Sequence, residues 1–482
     1  MMGRSVLLLN PALEELRGRE IIEECRTDGD SCYRFVHDRV REMVYGRMSA
    51  YQRIRLHRQA AELLVELELP GNEGTLREIA RNYALAGERL SALEYRIRAL
   101  ELDSARSCEP FSLSCAEMQG GAASAEALGE EVQQCLQEVA ALRREAAAPA
   151  RVVRLEQMLS LLRGRLALFH GETQRGYEIL GALSGSPEAH PADLMASACY
   201  LLASSALYQQ SARLAERYVS TGMRLLERGG TPVQQARFYR LRGNCFSLRG
   251  DYERARYYLQ EAADLLEELP PSRSVWLQLA AVYSDFGRVH RYLNEYAHAC
   301  ACFKRALGLA KNVEVPGLVW TYVHYGRTTF VLGDHSRGRE LFRAAHALAE
   351  RTGELWGRAA AAAYCAYYAA LDGEGEASAR YLADAQDCAG RLDSPLEAGI
   401  VCFVSMHLRR HLDLEQRDDP ALGALLTDDA DAYARRGVRL LGGIPDVFEA
   451  DEMNRNLRDG ITSQLRYRSS ELYSKNKRFM SE

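Results

Sequence analysis

The chain has little lysine and no long apolar run. Only four of its 61 basic residues are lysines, at positions 304, 311, 475 and 477. None of the four follows a glycine, which excludes the GxxxxGK[ST] loop that holds nucleotide phosphates. No stretch reaches the ~18 to 20 apolar residues needed to span a bilayer. The first apolar run, Val6–Leu9, is too short for a signal peptide, so we expect neither a leader nor a membrane span.

Proline and paired cysteine motifs are also scarce. The 482 residues hold 13 prolines, which leaves room for long helices, and 12 cysteines without a CxxC pair. We therefore expect reduced thiols in a cytoplasmic protein rather than disulfides or a cysteine metal site. The net charge of −5 gives no overall attraction to nucleic acid or to an anionic membrane, and we expect neither partner.

A repeat of about 40 residues fills the middle of the chain, from about residue 157 to 395. Each copy has a small residue, then a turn former seven positions later, a second small residue at twelve and a bulky apolar residue at sixteen. The first small residues are Gly164, Ala203, Gly243, Gly287, Gly326 and Ala366, and the turn formers are Gly171, Gln210, Gly250, Asn294, Gly333 and Gly373. The second small residues are Gly176, Ala215, Ala255, Ala299, Gly338 and Ser378, and the bulky ones are Leu180, Val219, Leu259, Phe303, Phe342 and Leu382.

This spacing predicts stacked helical hairpins. Two helices approach within about 8 to 10 Å only where the side chains at the crossing are small. The pattern resembles the tetratricopeptide repeat (TPR), most clearly at 236–266 and 280–310, although the usual period is 34 residues. The resemblance implies an all-α fold, a right-handed α-solenoid of about seven to nine hairpins with a concave inner face lined by the first helices.

The N-terminal segment has a different pattern. Tyr33–Tyr45, followed by Arg53–Leu64, resembles the junction of multidomain STAND-type signalling ATPases, including maltose-activator-like proteins, where a winged-helix module enters a helical repeat region. The resemblance implies a helix over 12–24 and a β-hairpin around Asp28-Gly29-Asp30. The nucleotide-binding domain is missing from this sequence, so no ATPase role is implied. The five glutamates at positions 14, 15, 20, 23 and 24 would repel phosphates, so we expect no DNA binding.

These patterns predict four regions. They are a winged-helix-like remnant with a β-hairpin at 1–48, a helical connector with one TPR-like hairpin (residues 73–105) at 49–150, the repeat array at 151–414, and an acidic loop with a polar C-terminal helix at 415–482. Residues 397–412 resemble the first half of a seventh repeat, and Gly442-Gly443 should break a helix. The C-terminal helix either caps the array or leads to an output domain.

Histidines and cysteines at ligand-like spacings do not form a metal site on this interpretation. His407 and His411 lie four apart, but Arg409 and Arg410 between them repel a cation, and we expect a solvated basic face. His298, Cys300 and Cys302 are two apart and point away from one another on a helix, as core or interface residues do. His37-Asp38 has no nucleophile or second carboxylate near it. We expect no catalytic residue, no metal and no cofactor.

The candidate partner-binding residues follow from the resemblance, which implies that the first helix of each hairpin faces the groove. This register selects Arg240, Asn244, Ser284, Arg288, Arg291 and Arg327, with the aromatic residues Tyr292, Trp320 and Tyr367, and also Tyr200 and Tyr208. Guanidinium and amide groups are planar donors for carboxylates. We therefore expect a protein or peptide partner, including an acidic one, or an anionic small ligand. The alternative is that these arginines are a solubilising surface.

Two functions remain open at this level. The first is a non-catalytic TPR-type scaffold for protein–protein interaction in signalling. The second is the ligand-sensing regulatory half of a system whose ATPase, cyclase, kinase or transcription module lies on another chain. The sequence predicts no oligomeric state, and an enzyme is the least favoured class.

Overall fold

Helices form over most of the chain, as the scarcity of proline allows. The protein, analysed as a computed structural model, is described for residues 11–27, 30–66, 73–108, 125–145, 149–184, 191–227, 229–311, 314–392, 394–415, 419–444 and 448–459. It divides into two compact units. One consists of Met1–Pro70 and Gly74–Arg96, and the other of Gly71–Glu73 and Ile97–Glu482.

The first unit carries the β-hairpin implied by the resemblance to STAND-type ATPases. Strands β1 (Ile22–Thr27) and β2 (Asp30–Phe35) pair antiparallel, with Ile22 opposite Phe35. The Asp28-Gly29 turn lies outside the described residues. The helix expected over 12–24 is shorter, because residues 11–18 are helical and the β-branched Ile21 and Ile22 lead into the strand instead.

Three helices follow this β-hairpin and are joined by one histidine. They are α1 (Asp38–Arg47), α2 (Ala50–Glu66) and α3 (Glu73–Leu85). His57 on α2 lies 2.9 Å from the Tyr45 hydroxyl of α1 and 2.8 Å from Asn82 Oδ1 of α3. Helix α3 and the following α4 (Arg89–Cys108) cover the hairpin predicted over 73–105. The boundary between the two units falls within α4, at Ile97.

The second unit is a series of antiparallel helix pairs. After α5 (Ala125–Arg144) come α6 (Pro149–Phe169), α7 (Thr173–Ser184), α8 (Ala192–Tyr208), α9 (Ala212–Leu226), α10 (Pro232–Leu248), α11 (Tyr252–Glu267), α12 (Arg273–Tyr292), α13 (Tyr296–Leu309), α14 (Leu318–Leu332), α15 (His335–Thr352), α16 (Arg358–Leu371), α17 (Gly375–Arg391), α18 (Pro395–Glu415), α19 (Pro420–Leu425), α20 (Ala430–Leu441) and α21 (Phe448–Asp459). Each pair from α6–α7 to α16–α17 is one predicted repeat, so the all-α array of TPR-like hairpins is confirmed.

The small and bulky positions of the repeat meet as predicted. A Cβ placed on Gly287 of α12 would lie 2.6 Å from the ring of Phe303 on α13, and one on Gly326 would lie 2.9 Å from Phe342. All six bulky residues of the pattern are fully buried. The six turn formers all have positive φ, from 60° at Asn294 to 79° at Gly171. Glycine and asparagine tolerate this conformation best, which explains why they recur there.

The seventh hairpin is complete, which differs from the half repeat that we expected. Helix α18 pairs with α20, and a Cβ on Gly399 would meet the side chain of Leu441. The hairpin therefore extends beyond residue 414, and the stretch expected to be an acidic loop contains α19, which packs on α17. Helix α20 ends at Leu441, immediately before Gly442-Gly443 as predicted. Helix α21 packs on α18 and α20, and the rest of the predicted C-terminal helix, residues 460–482, lies outside the described residues.

Within the second unit the early and late hairpins touch. Successive first helices contact each other from α6 to α18 and form the inner wall of the array. The Tyr208 ring at the end of α8 stacks on Trp356 before α16, with ring centroids 4.9 Å apart. A Cβ on Gly171 would lie 2.9 Å from the carbonyl oxygen of Arg391. The inner wall therefore encloses a space along this part of the array.

Candidate functional site

The enclosed space contains a cavity of about 70 Å³. Six of the nine residues expected to bind a partner line it: Arg240, Asn244, Ser284, Arg288, Tyr292 and Trp320. They come from three successive first helices, α10, α12 and α14, and Tyr208 of α8 joins them. The repeat brings them together, because each first helix presents the same face to the interior. We call this the inner cavity.

Asp285 is the acidic group of the inner cavity, and sequence reasoning missed it. Arg240 donates from Nη1 to Asp285 Oδ2 over 2.9 Å, and Asn244 Nδ2 donates to the same oxygen over 2.8 Å. Arg240 also donates from Nη2 to the Tyr200 hydroxyl over 3.2 Å, which places Tyr200 behind the cavity wall. These contacts fix Arg240 and Asn244 as parts of the wall.

Arg288 is less completely satisfied. Its Nη2 lies 3.2 Å from Asp285 Oδ1, and its side chain is 16% exposed. Yet neither Nη2 nor Nε donates a hydrogen bond to any residue in the described part of the chain. A buried guanidinium loses hydration, and hydrogen bonds must replace it. Arg288 therefore retains donor capacity beside the cavity.

Arg291, also on α12, is buried and has no counterion among the described residues. It is 4% exposed, and across the described ranges no acidic group lies within ion-pair distance of it. Its Nε has no hydrogen-bond acceptor there. Burial lowers the pKa of the Arg291 guanidinium and the positive charge of Arg327 lowers it further, although Tyr292 and the Glu449 carboxylate oppose this shift. An anion near Arg291 would remove this electrostatic cost.

His324 and Trp320 complete the cavity wall on α14. Their rings stack with centroids 4.9 Å apart. Burial holds the pKa of His324 well below its usual range, and the charges of Arg291, Arg327 and Arg288 add to this effect, so the imidazole is neutral. Neither Trp320 Nε1 nor His324 Nδ1 has a hydrogen-bond partner among the described residues. Trp320 Nε1 is therefore a further N–H donor that finds no acceptor in the described part of the chain.

The charges around the inner cavity do not balance. Arg240 and Arg288 line the cavity and are positive, and Arg291 is a further positive charge on α12 outside the lining. Asp285 is the acidic residue that contacts Arg240 and Arg288, and His324 is neutral. Donors on Arg288, Arg291 and Trp320 lack acceptors within the described chain. This arrangement favours a ligand group that carries negative charge and several acceptor atoms, as a carboxylate does.

The two remaining predicted residues, Arg327 and Tyr367, are covered by the chain itself. Arg327 is 1% exposed and forms a bidentate pair with Glu449 of α21, with Nε–Oε1 and Nη2–Oε2 distances of 2.7 and 2.6 Å. The Tyr364 hydroxyl donates to Glu449 Oε1 over 2.7 Å. These contacts lower the pKa of Glu449 to about 2 although burial opposes it. Tyr367, 3% exposed, packs edge-on against Phe330 and His407.

The histidines considered for metal binding are placed differently from one another. His407 is buried beneath α21, with Nε2 3.6 Å from Glu452 Oε1, and burial lowers its pKa to about 3. The expectation of a solvated face is therefore wrong for His407. His298 is exposed and stacks on His290. In the described part of the chain no three His, Cys, Asp or Glu side chains group as metal ligands.

The described helices were compared with the length and apolarity of a membrane span, and their cysteines with the properties of reactive thiols. None of them is both long and apolar enough to cross a bilayer. Buried thiols occur on the repeat helices, and burial raises the pKa of Cys199 to about 11 and of Cys365 to about 12. Such thiols are protonated and unreactive at neutral pH.

Comparison with known proteins gives structural similarity alone. No family model matches it, and no curated protein matches it. Similar solved structures include a STAND protein with a tetratricopeptide repeat sensor from Pyrococcus horikoshii, at 15% identity and a TM-score of 0.48. The match covers 86% of this chain, which spans 57% of that protein's length.

Two further solved structures are similar over most of both chains. NprR in complex with its cognate peptide NprX is 14% identical, with a TM-score of 0.49 and coverage of 82% of this chain and 100% of NprR. Aspartyl phosphate phosphatase F from Bacillus subtilis is 14% identical, with a TM-score of 0.45 and coverage of 83% and 95%. The assignment of the fold rests on the hairpins described above.

Proposed function

We propose that the protein is a non-catalytic regulatory scaffold that binds a protein or peptide partner on the inner wall of its helical array. The partner presents an acidic group to the inner cavity. The observation that carries this proposal is the excess of buried guanidinium groups on α10 and α12 over nearby carboxylates. Burying such charges without a partner is costly, so their retention supports a binding role.

The size of the inner cavity supports a side chain or chain terminus rather than a whole metabolite. Sites for drug-sized ligands usually occupy about 300 to 1,000 Å³, whereas this cavity measures about 70 Å³. A carboxylate of a longer peptide fits this size, with the rest of the peptide on the inner wall. Trp320 and Tyr292 offer apolar contact beside the acidic group.

A peptide-library experiment tests the proposal. The immobilised full chain is incubated with synthetic dodecapeptides that carry two glutamates at varied spacings, and with a matched library in which glutamine replaces them. We expect the glutamate peptides to be enriched. Arg288→Gln with Arg291→Gln should abolish the enrichment, because these substitutions remove the two under-satisfied charges.

The control removes two arginines from the outer surface. Arg254 and Arg351, on the second helices α11 and α15, are 67% and 54% exposed. Substituting both by glutamine changes the net charge equally and should preserve the enrichment. Equal recovery of both libraries by the unmodified chain, or full enrichment by the inner double variant, would contradict the proposal.

A second candidate function is the regulatory half of a signalling system with its output module on another chain. The β1–β2 hairpin directly before α1 supports this candidate, since the STAND-like junction implies such a hairpin. A gene for a nucleotide-binding domain beside the gene for this chain, and copurification of the two proteins, would favour it over a simple scaffold. Nucleotide turnover by the purified chain alone would favour an enzyme instead.

A further inference from the structure

The inner wall contains a second anion-binding position, and in this structure the chain fills it. Arg327 and Tyr364, on the first helices α14 and α16, together hold the Glu449 carboxylate through three hydrogen bonds. Both Arg327 and Glu449 are 1% exposed. The carboxylate belongs to α21, which is outside the seven hairpins and follows the Gly442-Gly443 break. A bidentate guanidinium and a tyrosine hydroxyl form a specific carboxylate site.

Helix α21 buries polar as well as apolar side chains, since Glu449 and Asn456 are buried while Phe448, Ala450, Met453 and Leu457 pack on the core. One face of α21 carries Phe448 and the residues one, four, five and eight positions after it, which are Glu449, Glu452, Met453 and Asn456. Met453 is fully buried, and Asn456 is 5% exposed and accepts a hydrogen bond from Arg410. Phe448 packs edge-on between Phe330 and Phe403, at 6.2 Å from each.

The neighbouring α20 shows the contrast. Its buried residues are Tyr433, Ala434, Gly437 and Leu441, an apolar stripe that packs against α18 and, at Gly437, against Met453 of α21. Helix α21 differs in adding a buried carboxylate and a buried amide to the apolar contacts of Phe448, Ala450, Met453 and Leu457. Binding of this kind is selective for a matching partner, because an unmatched polar group in the same place would be buried without hydrogen bonds. Helix α21 thus has the character of a bound ligand.

We propose that the surface formed by α14, α16, α18 and α20 is a helix-binding site that recognises a carboxylate through Arg327 and Tyr364. Helix α21 occupies it in cis. A partner helix with an aromatic residue before a glutamate, and a methionine four residues after that glutamate, exchanges with α21. The proposal extends the proposed function, on which it rests, from the inner cavity to the C-terminal half of the same wall.

Amide hydrogen exchange on the unmodified full chain is the first test. We expect the α21 amides to exchange at least roughly tenfold faster than those of α20, because α21 opens without unfolding the hairpins. Adding a synthetic peptide with the sequence of residues 446–459 in excess should increase the difference, since it captures the opened site. Equal protection of α20 and α21, unaffected by the peptide, would show that α21 is a permanent part of the core and would overturn the proposal.

Binding in trans is the second test and uses the same peptide with a fluorescent label. The Glu449→Gln chain, whose own helix is weakened, should bind the peptide roughly tenfold more tightly than the unmodified chain. A peptide with glutamine at the Glu449 position should lose this advantage, and Arg327→Gln in the Glu449→Gln chain should abolish binding. Equal affinity of the two chains, or of the two peptides, would overturn the proposal.

The inner-cavity substitutions separate this inference from the proposed function. Arg288→Gln added to the Glu449→Gln chain should leave trans binding of the α21 peptide intact, because Arg288 does not contact Glu449. If the unmodified chain does not enrich the glutamate library while the Glu449→Gln chain binds the α21 peptide, the proposed function alone is removed. The reverse pattern would remove the helix-binding site alone.

Discussion

Arg288 and Arg327 occupy the same position in adjacent repeats, yet their surroundings are opposite. Each follows the small residue of its first helix, Gly287 or Gly326, and each points into the array. Arg288 borders the inner cavity with donor atoms that have no acceptor in the described chain. Arg327 is closed off by Glu449. The repeat determines where a guanidinium points, and the flanking helix determines whether it is available.

At the N-terminal end of the array, as at the C-terminal end, a flanking helix contacts the arginine that follows the small residue of a first helix. Arg165 comes directly after Gly164, and its Nη1 donates to Ser104 Oγ over 2.6 Å and to the Glu101 carbonyl over 3.3 Å, both on α4. Flanking helices thus supply hydrogen-bond acceptors to the arginine at each end. The arginine available for a ligand lies between them, on α12.

The largest expected change in stability comes from substituting Arg327, the arginine that is paired with Glu449. Arg327→Met leaves the Glu449 carboxylate buried without a cation, and breaking a buried pair from one side usually costs about 3 to 5 kcal/mol. We expect the free energy of unfolding, measured by urea denaturation, to fall by roughly this amount or α21 to detach. Arg327→Lys keeps the charge and should recover part of the loss. An Arg327→Met chain as stable as the unmodified protein, with α21 still protected, would contradict the comparison.

Acid should weaken the same pair. The pKa of Glu449 is about 2 in the folded protein against an ordinary value of 4.5, so its stabilising contribution is present above pH 4.5 and is lost as pH falls toward 2. At 1.36 kcal/mol for each pKa unit the loss is on the order of 3 kcal/mol. Denaturation curves of the unmodified and Glu449→Gln chains should therefore converge over this pH range. A constant separation would refute the assignment.

Disturbing the glycine contact should lower the stability equally in the hairpin that carries Arg288 and in the one that carries Arg327, since both hairpins have the same repeat pattern. Gly287→Ala and Gly326→Ala place a methyl group against Phe303 and Phe342, and overpacking of this kind costs about 1 to 3 kcal/mol. Gly181 lies inside α7, and a Cβ added there would point into open space. Gly181→Ala should therefore raise the free energy of unfolding by about 0.5 to 1 kcal/mol. Thermal denaturation of the three variants compares them directly. A loss at only one of the two contact glycines would break the equivalence of the repeats.

The smallest change in stability is expected from substituting Arg288, the arginine that borders the inner cavity. Arg288→Met removes an incompletely satisfied charge from a site with excess positive charge, and the free energy of unfolding should change by less than about 1 kcal/mol, with a gain as the expected sign. Urea denaturation measures this beside Arg327→Met. A loss as large as that of Arg327→Met would mean that Arg288 is structural, and the proposed binding role would lose its basis.

Much of the array could be predicted from the sequence, because its contacts are local. A small residue, a turn former and a bulky residue within sixteen positions determine one hairpin, and Gly243, Gly250 and Leu259 show this directly. The inward direction of Arg240, Asn244 and Arg288 follows from the same register. These features depend on helical periodicity alone.

The partners of these arginines could not be predicted in the same way. Asp285 lies 45 residues from Arg240, and Glu449 lies 122 residues from Arg327. Such pairs depend on how the hairpins stack and where α21 docks, which no spacing rule specifies. A usable signal was present for Asp285, since it precedes Arg288 by three residues on the same helix. For Glu449, in a stretch rich in Asp, Glu and Arg, we find no comparable signal.

The most direct test of the central claim is a crystal structure of the full chain with the glutamate dodecapeptide that is most enriched from the library. We expect a peptide carboxylate within hydrogen-bonding distance, about 3 Å, of the Arg288 or Arg291 guanidinium, with the peptide backbone along α10, α12 and α14. A peptide bound on the outer second helices, with the inner cavity vacant, would contradict it.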